Sequence, residues 1–180
     1  MSEAVVVDAS AALNLVLSES GSVVVRAKLE AWWRAGVSVQ VPSHFWLEVA
    51  NALIRRHRLP SSLVIAAIHA LDELGLKTIE LSRPLVLLAL DLADRHGLSM
   101  HDAAYLALAE SVDGRLLTAD RGLLAAASRP IAVPGADHRL SEEPPHYASR
   151  QPSWPRYRGI SAYLARLRME AGDASTRHPA

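Results

Sequence analysis

Four acidic side chains stand where the surrounding sequence predicts burial. Asp8 closes the apolar run Val5, Val6, Val7, and Glu48 lies within FWLEVANALI. Asp102 falls in SMHDAAYLALAE, and Asp120 directly follows RLLTA. An ionised carboxylate is expensive to bury without a partner. Clustered carboxylates also repel, so a group of four persists near neutral pH only with raised pKa values or a bound cation. An oxygen-only donor set suits Mg²⁺ or Mn²⁺, which keep several waters when bound.

Each acid also has a plainer use. Asp102 is three residues after Ser99, the spacing of a capping box. Asp120 is placed to cap the RGLLAAA segment, and Asp8 could cap the helix after it, although Ser10 could do the same. Glu48 near a helix start would complement the helix dipole. Capping and metal binding are compatible, so the elements that carry the acids decide between them.

The apolar pattern predicts those elements. A strand at 4–7 has no alternation and reads as buried on both faces. Helices are expected at 9–19 and 23–35, the latter stopped by Gly36. VSVQV at 37–41 alternates and reads as a second strand closed by Pro42. Ser43 is the expected N-cap of a helix through His57, and a further helix runs from Ser61 or Ser62 to about Leu74. A third strand covers 76–81, followed by helices to Arg95 and from Ser99 to about Ser111. Strands at 116–118 and 131–133 flank a short helix at 121–127. Strands alternating with helices imply right-handed crossovers and an α/β fold with a mostly parallel sheet. Asp8 and Asp120 then leave strand ends, Glu48 and Asp102 sit at helix starts, and all four fall along one sheet edge.

Bulk properties narrow the class. The 180 residues suffice for one domain and an extension, with 19 basic and 19 acidic residues. That neutrality removes any global field that would attract a polyanion. There is no cysteine, which excludes disulfides and thiolate metal sites. The N-terminus has an acid in place of a basic region and its apolar run stops at Asp8, unlike a signal peptide. No apolar stretch reaches the roughly 18–20 residues of a membrane span. A cytoplasmic protein without membrane association is expected.

VVDASAAL, the glutamate of LEVANAL, HDAAYLALAE and LLTADRGL resemble, in order and spacing, the pattern of PIN-domain proteins, and especially the VapC-type ribonuclease toxins. The likeness runs from about Val5 to Val133. It implies a three-layer α/β/α sandwich and places Asp8, Glu48, Asp102 and Asp120 at the family's acidic quartet. Ser10 and Thr118 match its supporting hydroxyls. It further implies Mg²⁺ or Mn²⁺, an RNA substrate, a homodimer and an antitoxin partner whose peptide crosses the site. Residues 1–134 read as the nuclease domain.

The expected activity is metal-dependent hydrolysis of an RNA phosphodiester, with Asp8, Asp102 and Asp120 as direct or water-mediated ligands and Glu48 holding a second ion or orienting the attacking water. Arg55, Arg56 and Arg58 form a dense basic cluster suited to phosphates, or simply a helix end whose charges offset its dipole. His57 and His101 carry no assigned role. Trp32, Trp33 and Trp46 fit base stacking or a partner surface, with core packing for at least one. Residues 135–180 read as a Pro-rich linker and a short amphipathic helix, with Ile160, Tyr163, Leu164 and Leu167 at helical spacing. That helix would dock on its own domain, on a dimer mate, or in the antitoxin's groove with Arg156, Arg158, Arg166 or Arg168 near the acids. The competing reading is a catalytically silent PIN-like binding module. A haloacid-dehalogenase-type phosphotransferase would need an Asp where Ser10 stands, and no P-loop or dinucleotide fingerprint is present.

Overall fold

The computed structural model describes residues 3–17 and 21–133. Five strands, β1 (Ala4–Val7), β2 (Ser38–Pro42), β3 (Lys77–Ile79), β4 (Arg115–Thr118) and β5 (Pro130–Ala132), form one sheet in the order β3-β2-β1-β4-β5. Every neighbouring pair is parallel. Helices α1 (Ala9–Val16) and α2 (Ser22–Arg34) join β1 to β2, and α3 (Phe45–Arg55) and α4 (Ser61–Asp72) join β2 to β3. Helices α5 (Arg83–His96) and α6 (Met100–Ser111) cross to β4, and α7 (Arg121–Ala126) leads to β5. The result is the expected three-layer α/β/α sandwich.

The sheet is built outward from β1, whose Val5 and Val6 are fully buried. Each such valine contributes about 1.5–3 kcal/mol relative to an exposed one. The chain moves from β1 to β2 to β3 on one side, then returns to place β4 on the other side of β1. This reversal opens a crevice at the carboxyl ends of β1 and β4, where open parallel sheets bind ligands. Asp8 and Thr118 stand at those ends.

Several boundaries differ from the sequence reading. The helix after β2 begins at Phe45 with His44 at its N-cap and no side-chain cap. Ser43 is not the cap because its backbone N–H still donates to Ile79 O at 2.9 Å, prolonging the β2–β3 pairing. Helix α1 ends at Val16, short of the expected 9–19. The alternation of β2 does not mark a solvated face. Gln40 is buried, and its amide donates to Ser38 Oγ at 3.1 Å within the strand. Helix α6 is buried on nearly every side from Ala103 to Ala109, because it packs against both α5 and the sheet. Trp32 is a core residue, with the Arg115 guanidinium 5.6 Å from its ring centre. Trp46 is partly buried and donates to Thr78 Oγ1 at 3.0 Å. The expected unit at 135–180, with its apolar stripe and arginines, lies outside the described residues.

Candidate functional site

Asp8 occupies the N-cap position of α1, where its carbonyl accepts from Ala11 N and Ala12 N at 3.1 and 3.2 Å. Its carboxylate does not cap the helix. Instead Oδ2 accepts from Thr118 Oγ1 at 2.7 Å, across from the end of β4, and from Ser10 Oγ in the first turn of α1. Both hydroxyls are held in turn. Ser10 Oγ accepts from Ala119 N and Thr118 Oγ1 accepts from Asp120 N, each at 2.9 Å. A strand-end backbone thus supplies the N–H groups that aim two hydroxyl protons at one buried carboxylate.

The pKa of Asp8 is pushed up to about 7. Burial is the main cause, and the charges of Glu48 and Asp102 add to it, against the lowering effect of the two hydroxyls. Glu48, half-buried in the first turn of α3, is also raised, chiefly by burial and further by Asp102 and Asp120. Its principal stabiliser is Tyr105, whose hydroxyl donates to Glu48 Oε2 at 2.8 Å. Tyr105 is fully buried, and burial with the charges of Glu48 and Asp8 keeps its phenol protonated.

Asp102 and Asp120 do serve their own helix ends. Ser99 Oγ accepts from Asp102 N at 3.1 Å and donates to Asp102 Oδ2 at 2.7 Å. Asp120 Oδ1 accepts from Leu123 N at 2.9 Å at the start of α7. A carboxylate has about four acceptor sites, so neither cap exhausts its residue. Both acids act electrostatically on Glu48, and Asp102 also acts on Asp8.

Two residues without an assigned role in the sequence reading join this group. Tyr105 follows Asp102 by three positions, so both share a face of α6; that spacing was the available signal. His44 places Nε2 3.8 Å from Glu48 Oε2 and packs its ring edge-on to Tyr105, 4.8 Å between centroids. Burial, then His101, lowers the His44 pKa, so it is neutral at pH 7 and does not offset the acids. Arg55, Arg56 and Arg58 are exposed at the far end of α3. The helical rise puts Arg55 about 10 Å along the axis from Glu48.

Among the described residues, no three His, Cys, Asp or Glu side chains converge closely enough to hold an ion by themselves. Mg²⁺ does not need three, since it is usually bound through one or two carboxylates with waters completing its shell. Asp8 fits such an ion on chemical grounds. It is a buried carboxylate whose partners are neutral hydroxyls and whose neighbouring charges are negative.

The PIN domain family model matches residues 5–129, which include all four acids. The chain belongs to the PIN-domain family. This PIN domain is 57% identical over 35 residues to ribonuclease VapC3 of Pyrobaculum aerophilum, a match covering 19% of this chain and 27% of the relative. The chain therefore matches about a quarter of the length of that curated relative. Among solved structures, PAE2754 of Pyrobaculum aerophilum is 26% identical with a TM-score of 0.55, over 73% of this PIN protein and 84% of that chain. A toxin–antitoxin complex from Klebsiella pneumoniae is similar in fold at 18% identity and TM-score 0.54, over 71% and 96%. The sarcin–ricin loop cleaving toxin VapC20 of Mycobacterium tuberculosis is likewise similar at 19% and 0.55, over 68% and 94%.

Proposed function

We propose that this protein is a divalent-metal-dependent endoribonuclease and the toxin of a toxin–antitoxin pair. The observation that carries the reading is Asp8, a fully buried carboxylate at the sheet's switch point, oriented by Ser10 and Thr118 and coupled to Glu48 and Asp102. Asp8 would hold Mg²⁺ or Mn²⁺, with Asp102 and Asp120 reaching the ion directly or through bound water, and Glu48 would hold a second ion or orient a water. When bound, such an ion supplies a water of lowered pKa and neutralises charge developing on phosphate. The protein's own groups do the rest. Ser10 and Thr118 fix the Asp8 carboxylate in one rotamer, and Tyr105 fixes Glu48 while favouring its ionised form. The dry floor beneath them strengthens every charge interaction at the edge.

Support for the substrate and partner comes from similar proteins, one named a ribonuclease, one a sarcin–ricin loop cleaving toxin and one a toxin–antitoxin complex. A homodimer belongs to the same reading, and exposed Val86, Leu87 and Leu90 on one face of α5 favour it. No helix among the described residues is long and apolar enough to cross a membrane, which agrees with action on RNA in the cytoplasm. The test is cleavage of RNA by the Asp8→Asn variant with Mg²⁺ or Mn²⁺. The reading requires loss of cleavage with the fold intact; cleavage at the parental rate overturns it. The silent-module reading is favoured by Asp102 and Asp120 capping their own helices. It predicts no metal-dependent cleavage by the parent protein.

A further inference from the structure

His44 stands at the N-cap of α3, one turn before Glu48, and its backbone already has helical angles. Side chains four positions apart on a helix share a face. The ring and the carboxylate therefore meet, with Nε2 3.8 Å from Glu48 Oε2. That separation is too long for a hydrogen bond. Both ring nitrogens are buried, and neither has a hydrogen-bond partner among the described residues. A buried polar atom left unpaired loses its hydration without compensation, so this imidazole is short of a partner.

Tyr105 holds both groups in place. Its ring packs edge-on to His44, 4.8 Å between centroids, and its hydroxyl donates to Glu48 Oε2 at 2.8 Å. The His101 ring adds a further contact to His44 at 5.5 Å. Asp102 and Asp120 load the Glu48 carboxylate with like charge, while the His44 ring is neutral and offers a lone pair rather than a charge. A cation shared by Nε2 and Oε2 answers both conditions at once.

The spacing suits an ion. Two donors each about 2.1 Å from one metal stand about 3.0 Å apart at a right angle and about 4.2 Å apart when opposed. The observed 3.8 Å lies inside that span. Tyr105 takes one of about four acceptor positions on the carboxylate, and the Glu48 side chain is 34% exposed, so water can complete the shell. Among the described residues no third acid or histidine joins the pair. The site is thus open, unlike the closed shells of structural metals. Its nitrogen also selects the metal, because imidazole suits first-row transition ions whereas Mg²⁺ takes oxygen and water.

We infer that His44 Nε2 and Glu48 Oε2 form a two-ligand site for a first-row transition-metal ion and discriminate there against Mg²⁺. This deepens the metal-dependent reading, on which it rests for Glu48 as a ligand to a second ion.

The test adds one equivalent of Co²⁺ to the full chain in excess Mg²⁺, which competes for the oxygen-only position at Asp8. Proton NMR reads the strongly shifted N–H resonance of a directly bound imidazole. The parent protein should show one such resonance, and the Asp8→Asn and His101→Gln variants should keep it. His44→Gln should lose it and bind Co²⁺ about tenfold or more weakly. A parent protein without the resonance overturns the site. So does a His44→Gln variant that retains it, or its loss in His101→Gln with retention in His44→Gln. Imidazole-bound Co²⁺ in a protein that cleaves no RNA with any metal keeps the site and sinks the nuclease reading. Metal-dependent cleavage without imidazole coordination does the reverse.

Discussion

Thr118 Oγ1 donates to Asp8 Oδ2 at 2.7 Å and accepts from the Asp120 backbone N–H at 2.9 Å. One hydroxyl therefore ties two acids of the site together across the β1–β4 boundary, between residues 110 positions apart in the first case. Thr118→Val keeps the shape and removes the hydroxyl. It leaves a backbone N–H without its acceptor and Asp8 with one donor fewer, a loss of about 1–3 kcal/mol. Urea denaturation should show that loss together with reduced cleavage. Parental stability in the variant would mean that the hydroxyl is dispensable.

Asp8 also makes stability depend on pH in a direction opposite to most carboxylates. Below its ordinary pKa of 3.8 it is protonated in both states and imposes no penalty. Between 3.8 and about 7 the unfolded chain ionises while the folded chain keeps the proton. Folding thereby loses about 4 kcal/mol across that window when no metal is present. Glu48 is shifted the same way and adds to the trend. Thermal melts in EDTA should fall in Tm over this range, and Asp8→Asn should flatten the fall. Mg²⁺ should raise Tm more at about pH 8 than at about pH 5, since it binds the ionised form. Identical pH slopes for parent and variant would remove Asp8 as the source.

Tyr105→Phe isolates the hydrogen bond that favours ionised Glu48. The change should cost about 1 kcal/mol in stability. Its sharper signature is in the pH profile of cleavage, whose acid limb should move to higher pH because Glu48 loses the bond that lowers its pKa. An unmoved limb would show that Glu48 ionisation does not govern the rate.

Ser99 and Asp102 separate capping from catalysis. Ser99→Ala removes the cap of α6 at a cost of about 1 kcal/mol and should leave most cleavage in place. Asp102→Asn should keep most of the stability yet lose cleavage. If both variants lose stability and activity in parallel, Asp102 is only a cap.

Much of this was readable from residue order. The unbroken Val5, Val6, Val7 run announced a central strand, and the strand–helix rhythm announced a parallel sheet. The positions of Asp8, Asp102 and Asp120 followed from the local elements that carry them. What stayed hidden depends on neighbours distant in sequence. No local rule states that Tyr105 meets Glu48, because that hydrogen bond joins side chains 57 positions apart on α6 and α3. Nor does local pattern show that Ser43 prolongs the β2–β3 pairing before α3 begins, or that Gln40 is covered. The remoteness of Arg55 from Glu48, by contrast, was implicit in the length of one helix.

A divalent cation held by Asp8, Glu48, Asp102 and Asp120 together is what the proposed nuclease chemistry requires. Anomalous diffraction from crystals of the protein soaked in Mn²⁺ tests it most directly. A peak is expected about 2.1 Å from an Asp8 oxygen, with Asp102, Asp120 or Glu48 bound directly or through water, and it should vanish in Asp8→Asn. A fully occupied Mn²⁺ elsewhere with none beside Asp8 would contradict it.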